Sequence, residues 1–312
     1  MPVGGLVRCP QHAGKEELMK PARAAHPPRL RVTTIVIAAV VALAGPLIVA
    51  SQAASAQVTT TTHQGQGPRP TIVLEHGAWA DASSWDGVIQ RLQQAGYAVD
   101  APPNPLRGLS YDSTYLADYL KTIIGPIVLV GHSYGGAVIT NAATGNPNVK
   151  ALVYVDAFIP AQGDTLLQLL NAQPGSCLAG NPANVFTTVP YPDGPAGDFD
   201  LYLKTAPDSP YPGFAQCFAN GLPAGQAAVL AATQRPLAFS AVSTPSGTPA
   251  WQTIPSWSVI GTADHVIPPA EQLVMSRRAD AHITEIDAGH LSLISDPIAV
   301  TRVISEAAAT VS

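Results

Sequence analysis

Strands alternating with helices over residues 71–309 predict an α/β fold, a mostly parallel sheet of about six strands with helices on both faces. Three observations carry this. Short apolar, β-branched runs recur at 71–74, 127–130 and 149–155. Between such runs lie segments with apolar residues at helical spacing, such as Trp85, Val88, Ile89 and Leu92. One strand-to-helix junction carries Gly131-His132-Ser133-Tyr134-Gly135, which matches G-x-S-x-G, a nucleophile elbow.

In chain order, residues 71–74 form a buried strand followed by the turn Glu75-His76-Gly77-Ala78-Trp79. A helix over 84–95 stops at Gly96, a residue suited to the position just past a helix end. A strand over 97–101 and a loop over 102–110 lead to a helix over 111–124, with Leu116, Tyr119, Leu120 and Ile123 on one face. The strand at 127–130 runs into the elbow and a helix rich in small residues beginning near Gly136. A strand over 149–155 ends at Asp156. Residues 254–260 form a strand, 269–281 a helix, 282–286 the last strand and 297–309 a closing helix.

Residues 158–250 break this rhythm. They are rich in Pro and Gly, poor in charge, and carry Phe186, Tyr191, Phe199, Tyr202, Tyr211, Phe214 and Phe218. Long irregular segments in a compact domain are functional or disordered, and the aromatics argue for order. The segment reads as a cap inserted over the site, with short helices at 165–171 and 224–232. Most of its aromatics are expected to form the cap's own small core.

Residues 1–56 read as a secretory signal peptide. Lys15, Lys20, Arg23, Arg29 and Arg31 precede an uncharged stretch over 33–50, and Ala54-Ser55-Ala56 follows as a small-x-small cleavage pattern. An uncleaved anchor is the alternative, because the stretch is near the lower bound of about 18 residues for a span. Gly45-Pro46 and the cleavage pattern favour removal, hence an exported protein with no stable membrane anchor. Residues 57–70, polar and Thr-rich, form a flexible lead-in, and 71–312 make one domain. Of 16 Lys/Arg and 21 Asp/Glu, six and two lie before residue 57, so the remainder has 10 basic and 19 acidic side chains, net −9. Such a surface argues against nucleic acid and anionic membranes as partners. Cys9 falls in the leader. Cys177 and Cys217 share the Pro/Gly-rich stretch, and in an exported chain they predict a disulfide, with two buried thiols as the alternative.

A serine nucleophile needs a base, and the base an orienting acid. After a strand-to-helix elbow the chain order is serine, acid, histidine. Beyond the cap stand His265, His282 and His290. His290 follows the last strand in Asp287-Ala288-Gly289-His290-Leu291, in a loop at a strand's C-terminal end, where sites in such sheets lie. His282 starts a strand, at the opposite end. Asp264 follows the strand over 254–260 and is the favoured acid; Asp156, ending the preceding strand, is the alternative. The N–H of Tyr134 and an N–H from the turn after the first strand, assigned to Ala78, are the candidate oxyanion donors. Trp79 beside Ala78 is a candidate substrate contact. The histidines past Ser133 lack metal spacing and no phosphate loop is present, so neither a metal nor an organic cofactor is expected.

Together, His76-Gly77, the elbow with Gly136 behind it, Gly261-Thr262-Ala263-Asp264 and Gly289-His290 resemble the α/β-hydrolase superfamily, serine esterase type, over 71–312. The start at a His-Gly strand and the compact size are similar to the branch holding plant methylesterases, hydroxynitrile lyases and bacterial esterase-like proteins. The resemblance implies hydrolysis of carboxylic esters of apolar small molecules through an acyl-enzyme. Hydroxynitrile lyases place a threonine where Gly77 stands and a lysine near the acid; both are absent here. Ser133 excludes the aspartate-nucleophile route of haloalkane dehalogenases and epoxide hydrolases. Lactone or amide hydrolysis and cofactor-free perhydrolysis use the same three residues and stay open. So does a non-catalytic ligand-binding protein on a hydrolase scaffold.

Overall fold

A computed structural model describes residues 69–191 and 194–311. The leader expected over 1–56, and the lead-in up to residue 68, lie outside the described residues. Strand β1 (Thr71–Glu75) leads through a 3-10 turn (Ala82–Trp85), capped by Asp81, into α1 (Asp86–Gln94). Then come β2 (Val99–Asp100), α2 (Leu109–Leu120), β3 (Ile127–His132), α3 (Tyr134–Ala142) and β4 (Val149–Val155). An insertion follows, with α4 (Leu166–Leu170), α5 (Pro182–Val185), β5 (Phe186–Val189), β6 (Asp200–Leu203), α6 (Phe214–Cys217), α7 (Ala224–Thr233), β7 (Leu237–Ala238) and α8 (Phe239–Ser243). The chain closes with β8 (Ser256–Gly261), α9 (Pro269–Arg278), β9 (His282–Ile286), α10 (Ser292–Ser295) and α11 (Pro297–Ala309).

The main sheet has six strands in the order β2-β1-β3-β4-β8-β9, every pair parallel, with Leu129 beside Leu152 and Tyr154 beside Ser258. α1 and α11 cover one face; α3 and α9 cover the other, with α2 against α3. A parallel strand buried on both faces must be apolar throughout rather than alternating, and all of β3 is buried. The expected α/β architecture with about six strands is the one observed.

Element ends differ for local reasons. α2 starts two residues before the expected Tyr111, because the Asp112 carboxylate accepts the Arg107 and Gly108 N–H groups (2.9 and 3.3 Å) and caps an earlier turn. β2 keeps only two residues, since the Tyr97 N–H turns back to Leu92 O. β8 starts at Ser256 because the Thr253 and Ile254 N–H groups both donate to Ala250 O.

The insertion holds its own antiparallel sheet, β5-β6-β7. Hydrogen bonds and ion pairs fix it over the C-terminal ends of the main strands. The Trp79 indole donates to Leu201 O (2.9 Å) and the Trp251 indole to Pro160 O (2.9 Å). The Ala238 N–H donates to Leu106 O (3.0 Å), and Arg107 pairs with Asp200 (2.8 Å). No described helix is long and apolar enough to cross a membrane.

Candidate active site

Ser133 sits between β3 and α3 at φ 53°, ψ −121°. Such a backbone costs about 1–3 kcal/mol and persists only where its surroundings over-determine it. The Ser133 N–H donates to Val155 O (3.2 Å), and its carbonyl accepts from Gly136 N–H (3.0 Å) and Phe158 N–H (3.2 Å). The flanking glycines permit the turn by close approach: a Cβ on Gly131 would lie 2.6 Å from Gly135 O, and one on Gly135 2.6 Å from Glu75 O. The elbow thereby points Oγ out of the sheet at a helix N-terminus.

Ser133, His290 and Asp264 come together. The Ser133 hydroxyl donates to His290 Nε2 (2.9 Å), and His290 Nδ1–H donates to Asp264 Oδ2 (2.8 Å). The imidazole and carboxylate are fully buried. Asp264 also accepts Val266 and Ile267 N–H on Oδ1 (2.7 and 3.0 Å) and the Gln272 amide on Oδ2 (2.7 Å). Asp156 makes no hydrogen bond to the imidazole. Its carboxylate accepts Gly261 N–H (2.7 Å) and Ser292 N–H (3.2 Å), lacing the ends of β4 and β8 to the start of α10.

Burial decides the charge states. It holds His290 neutral by lowering its pKa to about 3. Burial raises Asp264, and the donors from Val266, Ile267 and Gln272 oppose that rise. Burial, then the Asp264 charge, raises Asp156 well above the ordinary carboxylate range. One negative charge between two buried carboxyl groups settles where donors are more numerous. Asp264 receives four and Asp156 two, so the anion is Asp264. A neutral base bonded to a hydroxyl, with an anion behind it, is the state that can take the Ser133 proton.

Ala78 and Tyr134 line the cavity beside Ser133. Their N–H groups have no acceptor among the described residues, so both can serve an oxyanion. The turn carrying Ala78 is fastened from below. Asn104 N–H donates to His76 Nε2 (2.9 Å) and the Asn104 amide to His76 O (3.1 Å). His76 therefore carries its proton on Nδ1, facing Gly77 O (2.9 Å), and burial lowers its pKa to about 4. Gly77 presses on the nucleophile: a Cβ there would stand 2.8 Å from Ser133 Cβ, so a threonine does not fit.

The cavity measures about 260 Å³. Apart from Ser133, Ala78 and Tyr134, its walls come mainly from the insertion: Leu166, Leu170, Phe186, Phe199, Leu201 and Phe239 among others, with no charged side chain. Trp79 lines it too, its ring stacked on Phe186 (6.0 Å) and edge-on to Phe218 (5.7 Å). Cys177 and Cys217 are joined by a disulfide, Cα atoms 5.7 Å apart. His265, exposed, faces Gln216 O, and His282, exposed, packs on Trp257.

Four neighbours escaped the sequence reading. His132 stands in the sequence only as the first variable position of G-x-S-x-G, yet it donates Nε2–H to His290 O (2.9 Å) with the two rings 4.9 Å apart. Gln272 stands one turn into α9 and had no signal beyond following Asp264 at a helical distance. Asn104 lies in a loop, and its role depends on a fold contact no spacing reveals. Phe218 was one of the insertion aromatics, most of them expected to form the cap's own core, and its ring lies 5.3 Å from that of His290.

The sequence profile described as "Alpha/beta hydrolase family" matches residues 72–303. The chain is similar to a carbendazim hydrolyzing esterase of Nocardioides sp. (strain SG-4G), 37% identical over 112 residues, 32% of this chain and 46% of that protein. It is also similar to a pyrethroid hydrolase of Sphingobium wenxiniae, 34% identical over 106 residues, 30% of this chain and 38% of that one. Each match spans less than half of the relative's length. The solved pyrethroid hydrolase of Sphingobium faniae JZ-2 has a TM-score of 0.60 at 23% identity, over 77% of this chain and 97% of that chain, a likeness of fold.

Proposed function

The chain belongs to the alpha/beta hydrolase family, and from that premise we propose that it is an exported serine esterase cleaving carboxylic esters of small apolar molecules. The observation that carries this is the unbroken relay from Asp264 to His290 (2.8 Å) to Ser133 (2.9 Å) beside two free N–H donors. Ser133 Oγ attacks the acyl carbon while His290 Nε2 takes its proton. The oxyanion forms against the Ala78 and Tyr134 N–H groups. Asp264 holds the tautomer and stabilises the imidazolium, which then protonates the leaving alkoxide. Water, deprotonated by the same imidazole, releases the acid from the acyl-enzyme. No step uses a metal or organic cofactor.

The uncharged cavity supports an apolar substrate, since burying an unpaired charge there is costly. The insertion supplies most of that wall, which supports its role as a cap. Relatives named for carbendazim and pyrethroid hydrolysis support the same substrate range. Export rests on the leader pattern and is supported by the Cys177–Cys217 bond, which persists in oxidising compartments.

Ser133→Ala is expected to abolish turnover of a short p-nitrophenyl ester and labelling by a fluorophosphonate, with an unchanged circular dichroism spectrum. Hydrolysis retained by the variant overturns the mechanism. A wild-type protein that neither hydrolyses nor labels is a binding protein instead.

A further inference from the structure

The disulfide stands against the triad, not at the periphery. Cys217 ends α6, and the next residue, Phe218, is almost fully buried (1% exposed), its ring 5.3 Å from His290, 5.7 Å from Trp79 and 5.1 Å from Phe214. The same segment grips the loop that carries Asp264: the Asn220 amide donates to Ala263 O (2.7 Å) and His265 Nδ1–H donates to Gln216 O (2.9 Å). The other cysteine's segment grips the same loop. Cys177 N–H donates to His265 O (2.7 Å), and the Ser176 hydroxyl donates to Val266 O (2.7 Å). Two strips of irregular chain thus hold residues 263–266 from two sides, and the sulfur–sulfur bond ties the strips to each other. α6 has only four residues, so little regular structure holds Phe218 in place without that bond.

We propose that the Cys177–Cys217 disulfide is a redox-sensitive latch that keeps Phe218 as a dry roof over the His290 imidazole, and that its reduction lowers ester hydrolysis. This rests on the esterase reading above. Cys177 is half-buried, beside half-buried Ser176, whereas Cys217 is fully buried, so the bond is reached from the Cys177 side. An external dithiol supplies the electrons: its thiolate attacks sulfur, the S–S bond breaks, Cys177 and Cys217 each take a proton, and the dithiol becomes a cyclic disulfide.

The consequence for His290 has a definite sign. Facing its ring are Ser133 and His132 from β3 and the elbow, Asp264 from the loop after β8, and Phe218 from the insertion. Asp156 reaches the same corner through Ser292 N–H, after His290. Phe218 is the apolar member, and it keeps water from an imidazolium. Burial holds His290 near 3. Lifting the roof lets water solvate the cation, so the pKa rises toward the ordinary value of about 6.5. The base must be neutral, so activity is lost first at acid pH.

The test compares the full oxidised chain, the same protein reduced by dithiothreitol with thiols counted, and oxidised Phe218→Ala and Phe218→Leu. The pH profile of kcat/KM is read on a p-nitrophenyl ester. Reduction and Phe218→Ala are each expected to move the acid limb up in pH, with a loss of about tenfold at pH 5 and under about twofold at pH 8. Phe218→Leu, which still covers the ring, restores most of the profile. An acid limb that stays in place in the folded reduced protein overturns the latch. Should the reduced protein unfold by circular dichroism, an unmoved limb in Phe218→Ala overturns it instead. NMR titration of the His290 ring in Ser133→Ala, oxidised against reduced, reads the same shift without turnover. It therefore tests the latch even if the oxidised wild type fails to cleave esters, which would overturn only the esterase reading.

Discussion

The sheet and the insertion both reach Ser133, by different means. β1, β3, β8 and β9 deliver the chemistry through backbone: an elbow at φ 53°, a turn stapled by Asn104, and loops at strand ends bearing Asp264 and His290. The insertion delivers side chains, with Phe186, Leu201 and Phe239 walling the cavity and Phe218 covering the imidazole. Backbone placement tolerates almost no change, because strands and helix are closer than a Cβ allows. Side-chain placement can be varied one contact at a time. Under the proposed function, the sheet half would set what reaction is done, and the insertion half on what and under which conditions.

The largest expected effect tests the sheet half. Asp264→Asn leaves His290 with an amide that can present the wrong partner to Nδ1, and kcat is expected to fall on the order of 10⁴-fold. Asp156→Asn keeps an acceptor for Gly261 N–H or Ser292 N–H and touches no part of the imidazole. Its loss is expected to stay under about tenfold, with a lower Tm from a weakened buried hydrogen bond worth about 1 kcal/mol. Steady-state kinetics on both variants decide the acid. A larger loss at Asp156 would move that role to the end of β4.

The next effect belongs to the insertion. Phe186→Ala and Leu201→Ala each remove apolar wall from the cavity and leave the relay untouched. Burial of such a side chain is worth about 1.5–3 kcal/mol, so KM for an apolar ester is expected to rise roughly tenfold or more while kcat changes little. A small acetyl ester, which leaves that wall empty, should show a weaker effect. A fall in kcat with constant KM would mean that the insertion acts on the chemistry itself, and the division between the halves would fail at that point.

The same division governs what the sequence revealed. β3 and β4 were legible because strands buried on both faces must be apolar runs, and Gly131-His132-Ser133-Tyr134-Gly135 because the elbow's close approach admits few residues. His290 and Asp264 followed from their places after β9 and β8. β5, β6 and β7 were missed: at two to four residues they are too short for a period-two pattern, and they pair with one another across long stretches of chain. Asn104, His132, Gln272 and Phe218 were missed because each acts through a contact created by folding, with no spacing rule of its own. Gly77 was read as a departure from a threonine. The structure adds the reason, a nucleophile whose Cβ leaves no space for a side chain.

The smallest effect probes the seam where the halves join. Arg107, in the loop before α2, pairs with Asp200 at the start of β6 (2.8 Å) and lies 4.9 Å from the Tyr191 ring centre. Its guanidinium also donates to Pro236 O (3.1 Å), before β7. The pair is partly exposed, with side-chain exposures of 30% and 12%, so solvent screens it and its worth is about 1 kcal/mol or less. Asp200→Asn keeps the shape and removes the charge, while the Arg107–Pro236 bond and the Trp79–Leu201 bond remain. KM for an apolar ester is therefore expected to rise no more than about fivefold. The difference from wild type should shrink in high salt, where the wild-type pair is itself screened. A salt-independent rise would mean that Asp200 shapes the cavity wall through packing, since no charge would then be at issue. A rise as large as that of Phe186→Ala would make the seam part of the substrate wall, and the boundary between the two regions would have to be drawn on the sheet side of Arg107.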